Sequence, residues 1–165
     1  MLVGSLSSNA YGEARSTKDA DFVVQLNLEK RDQILKQLPE AFEIDHQISF
    51  ETITGHTRQI LKIPSIPFEI ELFDLSDEPF DQSRFERRIE TRMGNHVVWL
   101  PTPEDVILQK LRWASLANRP KDLLDAIGIV RVRKERLDWR YINRWAADLQ
   151  IGTKLAELNA ASEDF

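Results

Sequence analysis

The sequence predicts an α+β fold: a mixed β-sheet with flanking helices over residues 1–100, then a helical extension over 101–165 packed on it. Three observations predict this division. Alternating and β-branched segments lie before residue 100. Apolar residues recur at helical spacing after it. The length, 165 residues, suits one domain or one domain with a small appendage.

Leu2-Val3 reads as the end of a strand before Gly4-Ser5, and Ser7 to Tyr11 as a short helix ended by Gly12. Residues 20–26, ADFVVQL, are β-rich and apolar, as in a buried strand. Leu28 to Leu38 carries apolar residues at helical intervals and is closed by Pro39. Ile48, Phe50 and Thr52 alternate with Ser49, Glu51 and Ile53, and Gly55 marks a turn before a strand from Gln59 to Ile63. In FEIELFDL, Phe68, Ile70 and Leu72 alternate with Glu69, Glu71 and Phe73, giving a strand with two unlike faces. DQSRFERRIETR reads as an exposed helix, and His96 to Leu100 as a final strand.

Thr102 can cap a helix with Pro103 in its first position and Glu104 and Asp105 in its first turn. Ile107, Leu108, Leu111 and Ala114 form its apolar face. Pro120 opens a second helix, with Leu123, Leu124, Ile127 and Val130 expected inward. A third starts at Asp138, with Tyr141, Ile142, Trp145 and Leu149 on one face. The four tryptophans read as core or interface packing.

Composition excludes several classes. The chain has no cysteine, hence no disulfide framework and no thiolate metal site. The start lacks a basic, apolar leader, and no run is long enough to span a bilayer, so a cytoplasmic protein without membrane attachment is expected. A net charge of −5 argues against a general nucleic-acid coat. Basic residues nonetheless crowd the stretch from Arg131 to Arg144, which would suit an RNA acceptor or a solvated helix surface.

The chemistry-bearing residues are acidic. Asp19 and Asp21, two apart on a strand, point to one face roughly 6.6 Å apart. Paired carboxylates repel unless a cation lies between them. Glu71 adds a third acid, and Glu69 shares its face. If the two strands are neighbours, three or four carboxylates converge, a hard-oxygen set suited to Mg²⁺ or Mn²⁺. Gly4 lets backbone approach an anion at a helix N-terminus. Singly, each feature has a plainer reading as a turn or a solvated strand edge.

In combination these residues resemble the DNA-polymerase-β-like nucleotidyltransferase superfamily. Val3-Gly4-Ser5 and Asp19-Ala20-Asp21-Phe22 match its hydrophobic-Gly-Ser and Asp-x-Asp motif, with Tyr11, Gly12, Arg15 and Thr17 between. Glu69-Ile70-Glu71-Leu72 occupies the place of its third carboxylate, with Glu for the usual Asp and Glu69 in place of a basic residue. Pro103-Glu104-Asp105, Lys110, Arg119, Lys121, Asp122 and Asp125 resemble the AbiEii-like bacterial branch, which includes abortive-infection toxins.

The resemblance implies a nucleotidyltransferase fold over 1–100, a nucleoside triphosphate donor and a divalent metal on Asp19, Asp21 and Glu71. It implies that Gly4 and Ser5 position phosphate, that Lys110 neutralises it, and that Arg15 and Thr17 brace the loop before the acidic pair. An acceptor hydroxyl on RNA, protein or a small molecule would receive the nucleotide, with an antitoxin protein as a further partner. The competing expectation is a weakly active or inactive member that acts by binding. A metal-dependent nuclease on the same acids is less well supplied with basic groups.

Overall fold

The computed structural model describes residues 1–45, 49–50 and 57–163. In chain order the elements are β1 (Leu2–Val3), α1 (Gly4–Tyr11), β2 (Asp19–Val24), α2 (Leu28–Lys36), β3 (Glu43–Ile44), β4 (Ser49–Phe50), β5 (Thr57–Lys62) and β6 (Glu69–Asp74). Then come α3 (Pro79–Glu86), β7 (Ile89–Met93), β8 (His96–Leu100), α4 (Pro103–Leu116), α5 (Pro120–Arg133), α6 (Trp139–Asp148) and α7 (Gly152–Glu163). The α+β class is as the sequence predicts. Much of the alternation expected over 48–53, with Gly55, His46 and His56, lies outside the described residues.

The main sheet runs β1-β2-β6-β5-β3, with β4 also on β5. β2 and β6 are parallel, so two segments far apart in sequence lie side by side. Their connection passes through α2, β3, β4 and β5, and β5 is antiparallel to β6. Leu2 and Ala20 are buried against Leu100, with Phe22 and Ile70 packed beside them.

The larger core belongs to the helices. Ile107, Leu108 and Leu111 of α4, Ile129 and Val130 of α5, and Ile142 of α6 are fully buried together. Burying such a side chain stabilises by about 1.5–3 kcal/mol. α4 begins as its sequence dictates: the Thr102 hydroxyl accepts from the Asp105 N–H, and Pro103 fills a position whose missing N–H costs nothing. Asp138 caps α6 by accepting from the Tyr141 N–H at 3.0 Å.

Four expectations need correction. α1 begins at Gly4 rather than Ser7. Residues 81–92 are not one exposed helix: α3 stops at Glu86, its Phe80, Asp81 and Arg84 are buried, and Ile89–Met93 is a strand. The two-residue turn Gly94-Asn95, with Gly94 at φ 61°, folds that strand back on β8. Ile89, Thr91 and Met93 alternate with Glu90 and Arg92, a short period-two run that follows directly on the polar residues of α3. Leu124 is 66% exposed, because the inward stripe of α5 follows Leu123, Ile127 and Val130 and leaves the next residue rotated away. Trp99 is 42% exposed on β8 rather than in the core, while Trp113 lines a cavity.

Candidate active site

The sheet register builds the site. Opposed residues share a face, so β2, β6 and β5 present three rows toward α4. Asp19 stands opposite Glu69, and Glu69 opposite Lys62. Asp21 stands opposite Glu71, and Glu71 opposite Ile60. Val23 stands opposite Phe73, and Phe73 opposite Arg58. The acids thus give way along the strands to an apolar end. A cavity of about 260 Å³ lies over this face. Gly4, Ser5, Asp19, Asp21 and Glu71 line one side, and Gln109, Lys110, Trp113, Arg119, Lys121 and Asp122 line the other.

Asp21 lies largely buried beneath Gly4. Gly4, at φ 64°, packs its α-carbon against the Asp21 carboxylate, and a side chain there would collide with it. That φ is also one that L-residues other than glycine adopt only with strain. Burial, then the negative charges of Asp19 and Glu71, push Asp21 up to about 6, against the weaker pull of Lys110 and Arg119. Charge crowding on one buried carboxylate is the electrostatic mark of a cation-binding or functional site.

The other acids are held from outside. Asp19 accepts a hydrogen bond from the Thr17 hydroxyl. Glu71 accepts from Arg58 Nη1 at both carboxylate oxygens, at 3.2 and 3.1 Å. Glu69 does not join the group: it lies near Lys62 at 3.5 Å, and its side chain is 44% exposed.

Across the cavity runs a relay of ion pairs. Lys110 is buried, with Nζ 2.8 Å from Asp122 and 2.7 Å from Asp125. Asp122 also meets Arg119 at 3.1 Å. Arg15 donates to both oxygens of Asp125, at 2.7 and 2.8 Å, and to the Ser5 hydroxyl at 2.8 Å. Burial alone would raise Asp125, but the hydrogen bonds from Arg15 and Lys110 outweigh it and hold the carboxyl below its ordinary value. Arg15 and Thr17 therefore stand behind the cavity wall, bracing Ser5 and Asp19. Lys110 is not a solvated lysine but the hinge of this network.

Glu104 and Asp105 tie α4 to its neighbours, with Asp105 also at the wall of the cavity. Asp105 is fully buried and accepts from Tyr141 at 2.6 Å, from Thr102 at 2.7 Å and from Arg87 at 3.3 Å. Burial and then the bond to Asp105 push the Tyr141 phenol up to about 12. Glu104 accepts from the Asp138 N–H at 3.0 Å. Together they fasten α6 to α4. Part of the C-terminal arginine stretch is likewise structural: Arg133 donates to the Tyr11 carbonyl at 3.1 Å and covers its ring.

Sequence reasoning missed Arg58. Its alternation with Ile60 and Lys62 places it on one face of β5, but only the β5–β6 register brings that face to Glu71.

Comparison with protein families decides the family. The model of the nucleotidyl transferase AbiEii toxin of type IV toxin–antitoxin systems matches residues 4–150. The chain belongs to the AbiEii nucleotidyltransferase family. Its fold is similar to an antigenic nucleotidyltransferase-like protein from Paracoccidioides brasiliensis, at 22% identity and TM-score 0.58, covering 98% of this chain and 83% of that one. It is also similar to a candidate nucleotidyltransferase from H. pylori, at 15% identity and TM-score 0.52, covering 96% of this chain and 67% of that one. Comparison with curated proteins gives no match. The matched span takes in both the strand acids and the Lys110 relay.

Nucleotidyl transfer in this family implies a divalent metal. Among the described residues no three acidic or histidine side chains are gathered around one point as placed. Asp19 faces Thr17 and Glu71 faces Arg58. The donor chemistry nevertheless fits: Asp19, Asp21 and Glu71 are hard oxygen ligands lining one cavity, and Asp21 carries charge repulsion that a cation would relieve. No helix among the described residues is long and apolar enough to cross a membrane.

Proposed function

We propose that this AbiEii-family chain moves a nucleoside monophosphate from a nucleoside triphosphate to an acceptor hydroxyl, with Asp19, Asp21 and Glu71 holding Mg²⁺ or Mn²⁺. The observation that carries the reading is the shared face of β2 and β6, where Asp21 and Glu71 stand in register beneath Gly4. When bound, the metal supplies charge neutralisation at the phosphates and lowers the pKa of the attacking hydroxyl. The oxygen–Pα bond forms as the bond from Pα to the bridging oxygen breaks, and pyrophosphate leaves. Glu71 serves this reading either as the third metal ligand or as the carboxylate that takes the hydroxyl proton.

Residues 1–100 supply the acids in this reading, and 101–165 the cationic wall. Gly4 and Ser5 offer backbone and hydroxyl to the phosphates, while Lys110, with Arg119 and Lys121, balances the charge on the leaving pyrophosphate. Val23, Phe73 and Trp113 form the apolar end suited to a nucleobase. The acceptor proposed is an RNA end, with the exposed Lys134, Arg136 and Arg140 as its backbone contacts. The family's toxin–antitoxin setting supports a cognate antitoxin as counterpart and a cytoplasmic site of action.

The test is incubation with each α-³²P-labelled nucleoside triphosphate, Mg²⁺ or Mn²⁺, and total bacterial RNA. Label entering RNA with the wild type and not with Asp19→Ala/Asp21→Ala is the expected result. A second reading, a binding module without turnover, draws on the internal ion pairs already made by Glu71 and Lys110. It predicts triphosphate binding with no label transferred to RNA, protein or small molecules.

A further inference from the structure

The contact between Arg58 and Glu71 reaches beyond the reaction itself. Arg58 comes from β5, across from Phe73, and leans diagonally to place Nη1 within 3.2 Å of both Glu71 oxygens. A guanidinium nitrogen in that position sets a positive charge on both Glu71 oxygens, the same oxygens a divalent cation would use. Glu71 is longer than Asp21 by one methylene and meets Arg58 of β5 at its carboxylate. Arg58 also lines the cavity that holds the three acids, so anything entering it meets the same guanidinium.

Resting on the metal-site reading above, we propose that Arg58 is a resident counter-cation that competes with divalent metal for Glu71 until a triphosphate offers it another anionic partner. Metal loading of the third carboxylate is then conditional on donor substrate. The bare protein holds metal through Asp19 and Asp21 alone. The triphosphate both brings its own oxygens and draws Arg58 off Glu71, so the full set of ligands assembles only with substrate in place.

The experiment is Mn²⁺ binding to the purified chain without nucleotide, read by electron paramagnetic resonance of the free ion. The proteins are wild type, Arg58→Met, Arg58→Lys, and Arg58→Met combined with Glu71→Gln, each first checked for a native-like thermal transition in chelator. Met keeps the length of the stem, and Arg58 is about a third exposed, so Arg58→Lys serves as the folded control that retains the charge. Arg58→Met is expected to bind Mn²⁺ about three- to tenfold more tightly than wild type, the scale of one partly screened charge pair. Arg58→Lys should lie between them, and adding Glu71→Gln should abolish the gain. Unchanged or weaker binding in Arg58→Met overturns the proposal. So does a gain that survives Glu71→Gln, because Arg58 would then act through the general field and not through Glu71.

Asp21→Asn separates the two levels of the argument. If Mn²⁺ binding is insensitive to it, the acid site itself is misassigned. If binding falls with Asp21→Asn but does not respond to Arg58→Met, only the role of Arg58 fails. The phosphate half is read by calorimetry with inorganic tripolyphosphate in chelator. Tighter binding by wild type than by Arg58→Met supports it, and equal binding overturns it.

Discussion

Replacing Asp21 by Asn should stabilise the metal-free protein while abolishing its chemistry. The carboxyl is raised from an ordinary value of 3.8 to about 6 by burial and by its two acidic neighbours. The folded state therefore holds the proton more tightly than the unfolded state does. The associated stability is complete below the unfolded pKa, and is lost as pH rises through about 6. A shift of roughly two units corresponds to about 3 kcal/mol at pH 8. Asn is nearly isosteric and keeps the fit under Gly4, but carries no charge at any pH. Urea denaturation in chelator should thus find Asp21→Asn more stable than wild type at pH 8, by about 2–3 kcal/mol, with the gain shrinking toward pH 4. Added Mn²⁺ should reverse the order by stabilising only the wild type. A variant less stable at every pH, or a gain that does not change between pH 4 and pH 8, would refute the electrostatic account of this site.

Other substitutions probe the supporting structure. Gly4→Ala puts a methyl group into the Asp21 carboxylate and strains a φ of 64°, so urea denaturation should find a loss of at least about 2 kcal/mol, with nucleotidyl transfer abolished. Lys110→Met leaves Asp122 and Asp125 buried without their shared cation and should cost about 3–5 kcal/mol by the same measurement; adding Asp125→Asn should recover part of it. Tyr141→Phe removes a 2.6 Å hydrogen bond to the fully buried Asp105 and should cost about 1–3 kcal/mol in urea denaturation.

What was legible in the sequence was local. A period of two fixes that Asp19 and Asp21 share a face, and that Glu71 shares one with Phe73. The capping chemistry of Thr102, Pro103 and Asp138 fixes where α4 and α6 begin. What was not legible depends on which segments become neighbours. The parallel pairing that sets Glu71 beside Asp21 spans a long crossover, and the antiparallel pairing that carries Arg58 to Glu71 has no local signature. Ile89–Met93 alternates over only five residues, too short a run beside a polar helix to stand out, and it is the pairing with β8 that defines it as a strand. Lys110, Asp122 and Asp125 stood out as a cluster of charges, but their burial follows from the packing of α4 on α5.

The site's central claim, that the β2–β6 face holds metal and triphosphate together, is tested most directly by diffraction from crystals grown with Mn²⁺ and a non-hydrolysable triphosphate analogue. The account predicts anomalous manganese density bonded to Asp19, Asp21 and Glu71, with the triphosphate between that face and Lys110. Manganese on other residues, or a triphosphate bound away from this cavity, would contradict it.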